Sequence, residues 1–168
     1  MEIDGLFGGL PAHPLLVHGA VVLVPLAAVA FIATCWREPW RKAYLLPITL
    51  VGLAGGFFAF LARETGESLT ESLRSAGKSV TVGEHPENGD TAFFFAMLLA
   101  LAFVAVYVFY RYGPQLRERL GIRTMPRLPV SYETALYVAT VPFAVLALVT
   151  MIVAGHSGAQ LVWKTNAP

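Results

Sequence analysis

The sequence predicts an all-α, polytopic membrane protein: a single domain made of one four-helix transmembrane bundle. Three observations carry that reading. Of 168 residues, 56% are hydrophobic and 14% charged, whereas soluble domains have roughly 45–50% apolar and about 25% charged residues. The apolar residues fall in four long runs, each close to the ~20 residues a helix needs to cross about 30 Å of hydrocarbon. The basic residues gather in alternate connections. A soluble globular domain and a disordered chain are both excluded, and a net charge of +1 gives no bulk attraction to nucleic acid.

The runs place spans at about 14–36, 43–62, 91–110 and 133–155, with a long loop at 63–90. Continuous runs such as 21–29 and 93–108 lack the alternation of a transmembrane β-barrel, so the spans are helices. The first span carries Glu2 and Asp4 in its flank, where a signal peptide has Lys or Arg, and is too long for a signal h-region; it is expected to stay in the mature protein.

Basic residues set the orientation. Arg37, Arg41, Lys42, Arg111, Arg117, Arg119, Arg123 and Arg127 lie on one side, against Arg63, Arg74, Lys78 and Lys164 on the other. Because cytoplasmic loops carry the excess, both termini and the 63–90 loop are expected outside a bacterial plasma membrane, an N-out/C-out arrangement. Trp36, Trp40, Tyr110, Tyr112 and Tyr132 make an inner aromatic belt, and Trp163 stands at the outer one.

Helix ends follow the same plan. Pro11 and Pro14 bracket the start of the first span, Gly113-Pro114 is expected to stop the third, and Ser131 with Glu133 to cap the fourth. Pro25, Pro47 and Pro142 lie inside spans, where membrane helices tolerate them. Gly52, Gly55, Gly56, Gly155 and Gly158 permit close helix approach. The single cysteine, Cys35, reads as a packed or interfacial thiol without a chemical role.

All four histidines, His13, His18, His85 and His156, fall near the outer face. Histidine bordering a bilayer is costly and marks a functional candidate. His13-Pro14 and His85-Pro86 share a detail, each proline sitting where a helix starts and holding the imidazole at a helix mouth, so that the two hairpins have the look of distant repeats. Glu64, Glu67 and Glu71 share one face if the second helix continues beyond the membrane, and Glu64 and Glu67 emerge at the histidine level. Thr65, Ser157 and Gln160 can supply hydrogen bonds that fix imidazole tautomers. No phosphate loop, CxxC, HExxH or nucleophile elbow is present.

The stretches LPAHPLLVHGAVVLVPLAA (10–28), RETGESL (63–69), GEHPENGD (83–90) and GHSGAQLVW (155–163) resemble the actinobacterial branch of the DUF2231 family of predicted small membrane proteins, over nearly the whole chain. The resemblance carries over His13, His18, Glu67, His85, Gly89, His156 and Ser157, and departs at Gly19, where many relatives place Phe. Some relatives resemble fusions to Rieske or cytochrome-type domains, which implies a redox or haem-linked setting.

Three functions are expected from these residues. The first is a haem b electron-transfer protein, with His18 and His156 as axial ligands and His13 and His85 serving propionates, a quinone head group or proton exchange. Its partners would be the lipid bilayer and a quinone or a membrane or extracytoplasmic redox protein, with a second copy of the chain as a further candidate. The second is a Zn or Cu site for transport or sensing, held by His13, His18, His85, His156 and Glu67. The third is an accessory subunit without a cofactor.

Overall fold

The computed structural model describes residues 12–77, 83–119, 121 and 131–165. They form four helices, α1 Ala12–Thr34, α2 Glu38–Ser75, α3 His85–Arg119 and α4 Tyr132–Thr165, with no strand among the described residues. All four are long and apolar enough to cross a membrane. α1 packs on α2 and α4, and α3 packs on the same two, so α1 faces α3 and α2 faces α4 across the diagonals.

Two boundaries differ from the sequence expectation. α2 runs on to Ser75 through the first part of the expected outer loop. The segment 63–75 has no apolar periodicity, yet its hydroxyls bond back to carbonyls one turn earlier, Ser68 to Glu64, Thr70 to Gly66, Ser72 to Ser68 and Ser75 to Glu71. The helix stops where Gly77 takes φ +72°, a conformation that favours glycine. α3 passes through Gly113-Pro114 to Arg119 instead of ending there. A proline costs a helix one hydrogen bond, and beyond the hydrocarbon water can meet the freed carbonyl. The start of α4 is as expected: the Thr134 backbone N–H donates to Ser131 Oγ at 3.2 Å. α1, α2 and α4 run through Pro25, Pro47 and Pro142. Pro11 lies outside the described residues.

The interior holds small residues and a few aromatic rings, while Leu, Val, Ile and Phe side chains dominate the outer surface. Such a surface would drive aggregation in water and suits lipid, where helices associate through close packing. At Gly52, for example, a Cβ would stand 2.5 Å from the Phe103 ring, so only glycine lets that ring lie against α2.

Burial reveals an internal duplication. A step of 72 positions (13 to 85) lays α1 on α3, and buried Ala20, Val24, Ala27, Ala28 and Phe31 fall on buried Ala92, Ala96, Leu99, Ala100 and Phe103. A step of 92 positions (62 to 154) lays α2 on α4. Buried Leu45, Ile48, Gly52, Gly55, Ala59 and Ala62 then fall on buried Tyr137, Thr140, Ala144, Ala147, Met151 and Ala154. Counterparts also meet at His13–His85 and Phe31–Phe103, the pairing that two repeats around a pseudo-two-fold axis along the bundle would produce. With two helices per repeat, both copies share one orientation in the membrane.

The connection between α1 and α2 holds Cys35, whose Sγ donates to the Phe31 carbonyl at 3.5 Å. It is the packed thiol expected.

Candidate functional site

Where the axis leaves the bundle at the N-terminal ends of α1 and α3, His13 and His85 meet. Their ring centres lie 6.4 Å apart, with planes at 75°. His13 sits in the first turn of α1 with Nδ1 2.8 Å from the Ala62 carbonyl oxygen of α2. A carbonyl only accepts, so Nδ1 carries the hydrogen and Nε2 keeps its lone pair in the neutral ring. The Cε1 edge lies 2.9 Å from where a Cβ on Gly66 would stand.

His85 repeats this arrangement from α3 onto α4. Its Nδ1 is 2.9 Å from Ser157 Oγ, and that hydroxyl donates to the Ala154 carbonyl at 3.0 Å. Having spent its hydrogen on Ala154, Ser157 accepts from Nδ1–H, so Nε2 again keeps the lone pair. The Cε1 edge lies 2.9 Å from the Cβ position of Gly158. Ala62 and Ala154, Thr65 and Ser157, and Gly66 and Gly158 are equivalent by the 92-position step, so each imidazole stands on the same Ala-x-x-(Thr/Ser)-Gly surface. Thr65 makes no bond to His13; its hydroxyl turns to the Leu61 and Ala62 carbonyls.

The pair expected to ligate haem is placed differently. His18 is exposed, its Nδ1 bonded to the Pro14 carbonyl of its own helix, and His156 is exposed with Nε2 2.7 Å from the Gln160 side-chain nitrogen. His18 points away from the central pair, because five residues separate it from His13, roughly 140° around a helix. Glu67 pairs with Arg63 at 2.8 Å, and Arg63 also reaches Asp90 at 2.8 Å and Glu64 at 3.4 Å, tying α2 to α3. Among the described residues no three His, Cys, Asp or Glu side chains are grouped to hold an ion. His13, His18, His85, His156 and Glu67 therefore do not form the single five-residue site expected; His13 and His85 alone come together.

The signal that separates the central pair from the outer one was the duplicated His-Pro. Its second half, the Ala-x-x-(Thr/Ser)-Gly surface, shows only once α2 and α4 are set in register. At Gly19, the departure from the resemblance, a Cβ would lie 2.5 Å from the Phe58 ring, which fills the space a larger residue would take.

Four apolar helices in two repeats, enclosing a polar pair where the axis leaves the bundle, define a polytopic helical membrane protein. The chain belongs to the DUF2231 family, described as a predicted membrane protein, whose profile matches residues 9–167. No curated protein and no solved structure is significantly similar to it.

Proposed function

We propose that this membrane protein binds a metal centre, a bare ion or the iron of a haem b, through His13 and His85. One observation carries the reading: two imidazoles, one from each repeat, meet 6.4 Å apart with both Nδ1 atoms committed to hydrogen bonds that end on helix carbonyls. Metal-binding histidines use this arrangement, in which the second nitrogen's hydrogen bond fixes the tautomer and the ring direction. With each Nδ1 engaged, Nε2 is the ring nitrogen whose lone pair is left to bind. A histidine that served only to anchor a helix end would not require a glycine beneath it in both repeats.

Total metal analysis and a pyridine haemochrome spectrum on one detergent-purified sample test this reading. His13→Ala and His85→Ala should lose the bound species, and His18→Ala and His156→Ala should keep it. A protein that holds no metal or haem, or loses it only through the outer pair, would exclude the central site.

A further inference from the structure

We infer that the His13–His85 pair takes one Cu(I) ion in two-coordinate fashion between its Nε2 atoms, an inference that rests on reading the pair as a metal centre. The donor set is the first reason. Two neutral imidazoles meet, each with its Nε2 lone pair left, and among the described residues no third His, Cys, Asp or Glu joins them. Zn(II) favours four ligands in a tetrahedron, and Mg(II) and Ca(II) need oxygen cages. Cu(I) is a soft, singly charged ion that two donors in line can satisfy.

The spacing agrees. Two nitrogens each about 2 Å from a shared ion, with ring centres about 1 Å behind them, put those centres about 6 Å apart, against the 6.4 Å found. Charge bears on the choice of ion: Glu64, Glu67 and Asp90 are held by Arg63, and Glu84 and Glu87 flank His85 in the chain without joining the pair as ligands. A divalent ion on two neutral ligands would keep its full charge at a membrane boundary, and a monovalent one halves that burden. Haem iron fits the same ring spacing, but α2 and α4 press on the two rings at Gly66 and Gly158. A porphyrin set between the rings would have to spread the bundle, and a bare ion would not.

The test is an anaerobic titration of the detergent-purified chain with Cu(I) against a colorimetric Cu(I) chelator, alongside Zn(II) against its own chelator, with X-ray absorption on the copper-loaded wild type. One Cu(I) per chain is expected, held at least 100-fold tighter than Zn(II), with two nitrogen neighbours at about 2 Å. His13→Ala and His85→Ala should lose it, and the absorption spectrum of the wild type does not depend on those variants folding. Zn(II) bound as tightly at the same pair, haem bound there, or copper with three or four nitrogen neighbours would overturn the Cu(I) assignment and leave the pair a metal centre. Binding of neither ion nor haem would overturn both.

Discussion

Phe31 of α1 and Phe103 of α3 hold the same position in the two repeats and pack against each other across the bundle diagonal, ring centres 4.8 Å apart. His13 and His85 do likewise at the end of the same axis. A residue on a pseudo-two-fold axis meets its own counterpart, so duplication of one hairpin supplies two like donors facing each other. Away from the histidines the copies have diverged. Tyr137 stacks on Phe31 at 4.0 Å and its hydroxyl shares a hydrogen bond with Thr34, whereas the counterparts Leu45 and Val106 are apolar.

Phe31→Ala and Phe103→Ala should each lower the thermal unfolding midpoint in detergent, since both rings are fully buried. The cost should fall below the about 3–5 kcal/mol seen for Phe→Ala in water-soluble cores, because lipid or detergent accepts exposed apolar surface at little penalty. Phe57→Ala and Phe94→Ala, whose rings are 59% and 56% exposed, should leave the midpoint nearly unchanged. Equal losses at all four positions would mean that the aromatic diagonal is not the packing centre.

Much of the architecture was legible because lipid imposes a simple rule: every span must be a long apolar helix. The same rule hid the helix faces. When a helix is apolar all round, periodicity does not tell core from lipid, and α1 shows that uniformity. His18 therefore looked as central as His13, being deeper in its span, and only the packing of α1 on α2 shows that His13 faces the neighbour. The polar end of α2 stays only a conditional continuation in the sequence for the opposite reason, since its hydroxyl–carbonyl bonds leave no hydrophobic pattern.

The eight-to-four division of basic residues predicts an orientation that can be tested directly. A reporter fused after Pro168 should read as extracytoplasmic, and one inserted between α3 and α4, at 120–131, as cytoplasmic. The reverse pair of readings would put the histidine pair on the cytoplasmic face.

Glu67→Gln should leave metal retention as in the unaltered chain, as should Glu71→Gln, because Glu67 faces Arg63 at an exposed site and not the imidazoles. Selective loss from Glu67→Gln would draw the carboxylate into the centre.

Ser157→Ala removes the hydroxyl that accepts from His85 Nδ1. Loss of such an orienting group typically weakens metal binding about 10–100-fold. Ser157→Thr should retain affinity, since threonine stands at the equivalent position 65 in the first repeat. Matching affinities for the Ala and Thr variants, measured by competition with a chelator, would show that the hydroxyl does not orient the ring.

Gly66→Ala and Gly158→Ala test the surfaces on which the imidazoles rest. A Cβ at either position falls 2.9 Å from the Cε1 of His13 or His85, closer than carbon atoms pack, so the ring has to turn or the helices part. Turning His13 breaks its bond to the Ala62 carbonyl, and turning His85 breaks its bond to Ser157, so either substitution should misdirect one Nε2 while leaving both histidines in the chain. Metal retention should therefore drop in each variant about as far as in the corresponding His→Ala. Gly89→Ala is the control: it lies in α3 with nothing within 4 Å of its Cβ position. It should keep the metal and stabilise the helix by up to about 1 kcal/mol. Full retention by Gly66→Ala and Gly158→Ala would show that the rings do not need these glycines to face each other.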